Sequence, residues 1–181
     1  MLWNYSNPRD EGCERMDDTR LTRTEIRTEN LTLALQSPEE TLASIEAMHP
    51  LDRAEVSSEW LARVKATSDA NPWIHSFAAV HRASGAVVGG CGYKGPPDAD
   101  AVVEIAYGVE PAHRGKGYAT EMARALVTFA FTTNDVRLVR AHTRPQNDAS
   151  SRVLTKCGFD CVGEVIDPED GLVWRWERRC L

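Results

Sequence analysis

No run of apolar residues in this chain approaches the ~20 needed to cross a bilayer, and no signal-type apolar segment follows the N-terminus. A cytoplasmic protein with no membrane partner is the expectation. Positive charge is also short, with 21 Lys and Arg against 27 Asp and Glu for a net charge of −6. That balance argues against nucleic acid as a bulk partner, and any polyanionic ligand must rely on a local positive site. Cysteines are few, odd in number and scattered, at Cys13, Cys91, Cys157, Cys161 and Cys180. Such spacing suits a reducing compartment better than a disulfide framework. No His or Cys pair completes a zinc set around Cys157 and Cys161, so no metal is expected. Repeats and low-complexity linkers are absent as well. What remains is an ordinary globular composition, 42% hydrophobic and 27% charged over 181 residues, enough for one domain with its own core.

Residues 1–20 are polar, charge-dense and without period, which predicts a loose tail in which Met16 is an alternative start, followed by a single domain over 21–181. Ile26 to Leu35 reads as a strand. Helices are expected from Pro38 to about His49 and from Ser57 or Ser58 to about Ser68. Ile74 to His81 and Ala86 to Tyr93 form a hairpin through Ser84-Gly85, and Gly89-Gly-Cys-Gly92 makes its second strand bare enough to suggest a bulge or a close backbone approach. Strands near Arg137 to Thr143, Phe159 to Val165 and Leu172 to Arg178 complete the pattern, with a helix at Asn147 before the last two. Hairpins followed by a strand–helix–strand crossover imply a mixed sheet with helices on both faces.

The organising stretch runs from Val102 to Met122. Val103, Ile105, Tyr107 and Val109 alternate as a strand that Pro111 ends. From Tyr118 onward Ala119, Met122, Ala123, Leu126, Val127 and Ala130 fall at helical spacing. Between them lies Arg114-Gly-Lys-Gly-Tyr-Ala119. Gly115 and Gly117 let main chain approach a ligand, the helix start offers unpaired N–H groups, and Arg114 and Lys116 add positive charge, a combination suited to a diphosphate. A plain flexible turn is the alternative. A dinucleotide fingerprint is excluded because position 120 is Thr, and a P-loop because Gly117 is followed by Tyr-Ala.

Arg114, Gly117 and Ala119 match the Arg/Gln-x-x-Gly-x-Gly/Ala signature of the GNAT acetyl-CoA-dependent N-acetyltransferases. Downstream, Asn147-Asp-Ala-Ser150-Ser-Arg-Val-Leu154-Thr-Lys156-Cys-Gly158-Phe159 resembles that family's Asn-x-x-Ser-x-x-x-Leu-x-Lys-x-Gly-Phe helix. Glu104-Ile-Ala-Tyr107 makes the resemblance closest to the RimJ/RimL-like branch. The resemblance implies an α/β fold with a mostly antiparallel sheet of about seven strands, splayed into a V between two central parallel strands. It implies acetyl-CoA as co-substrate and a cofactor set of Tyr107, Val109, Arg114, Gly115, Lys116, Gly117, Tyr118, Ala119, Thr120, Asn147, Ser150 and Lys156. It further implies an amine acceptor, either a protein N-terminus or a small amine. A homodimer is an open alternative to a monomer.

Glu104 is a carboxylate within an apolar strand, and partial burial is expected to raise its pKa and suit it as general base; a Glu pointing to solvent or pairing with an Arg of a neighbouring strand is the competing reading. No Tyr lies between Asn147 and Phe159, where many family members place the acid. The branch resemblance puts Ser150 near the cofactor sulfur instead, although a Ser there also serves as a helix cap. Val109 N–H is the implied oxyanion donor. Lys156 has a solvated lysine as its alternative. His75, His81 and His142 fall inside strands without a paired nucleophile, and His113 reads as surface. A catalytically silent acyl-CoA sensor and an unrelated anion-binding α/β protein are the competing functions.

Overall fold

In the computed structural model, residues 24–180 are described except 49, 51, 52, 54, 55, 146, 147 and 169. The tail expected over residues 1–20, the Met16 start and the Asn147 contact lie outside the described residues. In chain order the elements are β1 (Glu25–Arg27), β2 (Leu31–Leu35), α1 (Pro38–Glu46), α2 (Ser58–Ala66), β3 (Phe77–His81), β4 (Val87–Tyr93), β5 (Val102–Val109), α3 (Tyr118–Thr132), β6 (Leu138–Thr143), α4 (Asp148–Lys156), β7 (Asp160–Asp167) and β8 (Gly171–Arg179). A 3-10 turn at Pro111–His113 follows β5.

The strands make an eight-stranded sheet in the order β1-β2-β3-β4-β5-β6-β8-β7. Every pairing is antiparallel except β5 with β6. The strand beyond the expected seven arises because the segment from Ile26 to Leu35 is a hairpin. Glu121 on α3 explains the break. Its carboxylate accepts from the Asn30 N–H at 2.7 Å, the Leu31 N–H at 3.1 Å, the Asn30 amide and the Thr28 hydroxyl, so the turn is held from outside.

One face of the sheet carries the main core. Leu31, Leu33, Phe77, Val103, Ile105, Val139 and Ala141 pack against Met122, Ala123, Leu126 and Ala130 of α3 and Leu154 of α4. Each such aliphatic side chain contributes about 1.5–3 kcal/mol on burial. α1 is closed by a capping box between Ser37 and Glu40. Ile45 of α1 and Val64 of α2 are buried outside this core. Among the described residues no helix is long and apolar enough to cross a membrane.

The glycines of β4 mark both features expected of them. Ala79 faces Gly89 and Val80 faces Val87, leaving Val88 as a bulge. Gly89 then lies so close to β5 that an added Cβ would stand 2.1 Å from the Gly108 carbonyl oxygen.

Candidate active site

β5 and β6 run side by side for only three rungs, Val102 to Leu138, Val103 to Val139 and Glu104 to Arg140. Beyond Glu104 each strand continues with its other neighbour, β5 along β4 and β6 along β8. A gap opens between them. Lys94 donates its N–H to the Glu104 carbonyl and Glu110 donates to Val88, so the even-numbered rungs of β5 face β4. By strand alternation the main-chain groups of Ile105, Tyr107 and Val109 are directed at the gap. The splay predicted between two parallel strands is therefore present.

The Gly turn stands at the mouth of this gap. Gly115 and Gly117 have φ of 78° and 85°, the left-handed region that a Cβ disfavours. Nothing lies within 4 Å of a Cβ at either position, which leaves open space over bare main chain. Gly117 is the N-cap of α3 and brings no side-chain acceptor to the first helical N–H groups. Lys116 is exposed beside them. Arg114, expected as free positive charge, instead donates through Nε to the Val109 carbonyl at 3.1 Å. Tyr118 turns its ring against His81, with centroids 5.7 Å apart, and the Thr120 carbonyl accepts from Cys157 Sγ at 3.6 Å. The Tyr118 ring thus faces protein, while Ala119 and Thr120 leave their N–H groups in the first turn.

Tyr107 is half-buried, and its hydroxyl lies inside the molecule against the Ser150 side chain in the first turn of α4. Burial pushes this phenol up to about 12, against a smaller opposing effect from Ser150. It is protonated at neutral pH and is a donor. The end of α4 is set by a Schellman motif, in which Phe159 N–H reaches Leu154 O at 3.1 Å and Gly158 N–H reaches Thr155 O at 3.0 Å, with Gly158 at φ 76°. Lys156 is exposed at that end. With Arg124, Arg178 and Arg179 it lines a depression of about 700 Å³.

Glu104 points to the opposite face, where its Oε1 lies 2.8 Å from Lys94 Nζ and 3.2 Å from His142 Nδ1. The raised pKa expected from burial is overturned. Burial is the largest single influence and acts upward, but the hydrogen bond from His142 and the Lys94 ammonium together outweigh it and hold the carboxyl below its ordinary value. Glu104 does sit in an ion pair, but its partner is Lys94 and not the Arg of a neighbouring strand that was the competing expectation. Lys94 in turn lies 3.5 Å from Asp170, and His142 Nδ1 lies 3.7 Å from Asp167. Arg175 Nε donates to His142 Nε2 at 3.4 Å.

Sequence reasoning passed over Lys94, Asp167 and Arg175 and set His142 aside for want of a paired nucleophile. A signal was available in strand parity, since Arg140 and His142 alternate with the apolar Val139 and Ala141 along β6 and share a face with Glu104. His75, expected inside a strand, instead precedes β3, because its Nδ1 accepts from Asn71 N–H at 2.9 Å and holds a turn there; it is buried, and burial lowers its pKa. The two tryptophans of β8 divide. Trp176 is buried and donates to Thr143 Oγ1 at 3.1 Å, whereas Trp174 donates to Glu164 at 3.2 Å. Cys91 and Cys157 are buried, and Cys161 and Cys180 are exposed. Among the described residues no group of His, Cys, Asp or Glu is placed to hold a metal.

A family model described as an acetyltransferase (GNAT) domain matches residues 20–160. An uncharacterized N-acetyltransferase, YjdG, of Bacillus subtilis (strain 168) is 36% identical over 73 residues, 40% of this chain and 44% of its own length. The chain thus spans less than half of that relative. RimL, a ribosomal L7/L12 α-N-protein acetyltransferase solved with coenzyme A, superposes with a TM-score of 0.66 over 86% of this chain and 98% of its own, at 15% identity. The aminoglycoside acetyltransferase AAC(6′)-Ib, also solved with coenzyme A, gives a TM-score of 0.64 over 82% and 94%, at 19% identity. At such identities these two likenesses speak to the fold.

Proposed function

The chain belongs to the acetyltransferase (GNAT) domain family, and from that premise we propose that it moves the acetyl group of acetyl-CoA to a primary amine by direct attack in a ternary complex. The observation that carries this reading is the coincidence of the gap beyond Glu104 with the bare, left-handed Gly115–Gly117 turn at its mouth. That pairing fits a long acyl thioester with a diphosphate in its middle. Main-chain N–H groups from Gly115 to Ala119, with Lys116 beside them, would hold the diphosphate. Arg114 is the less available cation, because it is engaged with Val109. Val109 and Tyr107 present main chain to the gap, where an N–H polarises the acyl carbonyl. Acetyl-CoA itself supplies the activated acyl group.

The residues divide the remaining work. Glu104, ionised at neutral pH, is the acceptor for the proton that the amine must lose. With its carboxyl held low it is a modest base, worth about 10²-fold, the lower end of general base catalysis. Ser150, with the Tyr107 hydroxyl behind it, would donate to the departing sulfur. The acceptor class rests on likeness alone: RimL acts on a protein N-terminus and AAC(6′)-Ib on aminoglycosides, so both belong in the assay panel. Thiol release with acetyl-CoA tests the reading. Release that depends on an added amine or N-terminal peptide supports it. Tight acetyl-CoA binding without release across that panel favours the silent acyl-CoA sensor instead.

A further inference from the structure

His142 sits where three strands meet, with Glu104 of β5 on one side, Arg175 of β8 on another and Asp167 of β7 beyond. Its side chain is only 7% exposed. Arg175 has donors and no acceptor, so a hydrogen bond between its Nε and His142 Nε2 at 3.4 Å requires that Nε2 accept. In the neutral ring the proton is then on Nδ1, which donates to Glu104 Oε1 at 3.2 Å. The same geometry excludes a relay through the ring. Nδ1 already carries a proton and Nε2 is covered by a guanidinium, so the imidazole has no open site for the proton that Glu104 receives.

Resting on the enzyme reading above, we propose that His142 is the positioning residue that fixes the Glu104 carboxylate at the edge of the gap. Lys94 is the other partner of Glu104, yet it is 33% exposed and shared with Asp170. A flexible ammonium neutralises charge but sets no direction. The imidazole does, because it is buried and gripped at both nitrogens. Lys94, Asp167, Asp170 and Arg175 are the charges around this pair. The Arg140–Glu177 ion pair lies on the adjoining rung.

Substitution at position 142 tests the role. His142→Ala removes the donor, His142→Leu fills the space without one, and His142→Asn keeps an amide N–H near the place of Nδ1. The Ala and Leu variants should lose about 10–100-fold in kcat, the scale of a displaced catalytic group, with KM for acetyl-CoA unchanged, and Asn should recover most of the loss. Carbon-13 NMR titration of the Glu104 carboxyl gives a second readout that needs no turnover. Its midpoint should rise in Ala and Leu and return in Asn. A wild-type kcat in folded Ala or Leu, an unmoved midpoint, or Asn behaving like Ala each overturns the proposal. A midpoint that moves as expected in a protein that acetylates no amine supports the placement of His142 and counts against the enzyme reading, so the two failures are distinct.

Discussion

Replacing Gly89 by alanine asks whether β4 must be bare for β5 to keep its course at the gap. The new Cβ would stand 2.1 Å from the Gly108 carbonyl oxygen and 3.0 Å from Val109 Cα. Carbon and oxygen in close contact sit about 3.3 Å apart, so the β5 backbone must yield by roughly 1 Å. The rungs from Gly89–Val109 to Tyr93–Ile105 hold both strands on one side, and the Glu110 N–H on the Val88 carbonyl at 2.9 Å holds them on the other, so neither can slide freely. Overpacking of this kind costs about 1–3 kcal/mol. For a chain of this size that is a fall in Tm of about 2–12 °C. The Gly108 carbonyl faces β4, but Val109, the next residue, turns its main chain to the gap and must move with it, so affinity for coenzyme A should fall along with stability. Gly90→Ala is the control, because its Cβ would meet nothing nearer than the Phe77 carbonyl at 3.5 Å. Thermal melts and calorimetric titration of coenzyme A into both variants decide the matter. Equal melting of the two, or a destabilised Gly89→Ala with unchanged affinity, would refute the reasoning.

Glu104→Gln should lower kcat by about 10²-fold while leaving KM for acetyl-CoA in place, and a steady-state profile that matches wild type at every pH removes Glu104 from the mechanism. Gly117→Val should weaken coenzyme A binding by at least about tenfold in a calorimetric titration, since it combines a disfavoured φ with a side chain over the first helical N–H groups. Glu121→Gln should cost about 1 kcal/mol, a charged hydrogen-bond loss discounted for partial exposure, read as a lower Tm. Glu121 is raised by burial but held low on balance by Thr28, Asn30 and Leu31, and Glu104 is likewise depressed. A depressed carboxyl adds stability that is whole above its unfolded value, about 4.3, and is lost as pH falls through the folded one. Melts of either Gln variant between about pH 5 and pH 3 should therefore show a shallower acid decline than wild type.

The alternation of Val103, Ile105, Tyr107 and Val109 and the helical period after Tyr118 were legible because each element buries one face, and both bounds agree with the structure. Gly89 to Gly92 announced a close approach for a local reason, the lack of Cβ. The break in the segment from Ile26 to Leu35 was not legible. It depends on Glu121, about ninety residues away, reaching Thr28 to Leu31, and no local period records that contact. The same limit explains the direction of the Glu104 pKa. Burial follows from strand parity, but the ammonium of Lys94 and the ring of His142 arrive from neighbouring strands whose register the chain order leaves open. Arg114 likewise carried its charge in the sequence, but its engagement with Val109 is a property of the folded turn.

The alternation that made β5 readable also divides the proposed chemistry between two faces of the sheet. Glu104 lies on one face with His142 and Lys94, while Tyr107, at an odd position, lies on the other with Ser150 and α4. Where β5 and β6 remain paired, at Val102 to Glu104, the sheet is closed and the faces are separate. One rung further the strands part, and a slot connects them. Under the enzyme reading an amine can then approach from the Glu104 face while the thiol departs toward Ser150, which is the geometry a direct displacement requires. A covalent acyl-enzyme has no comparable support among the described residues. Cys91, the nearest thiol along β4, is buried and pushed far above its ordinary pKa by that burial alone, which leaves it protonated and poorly nucleophilic.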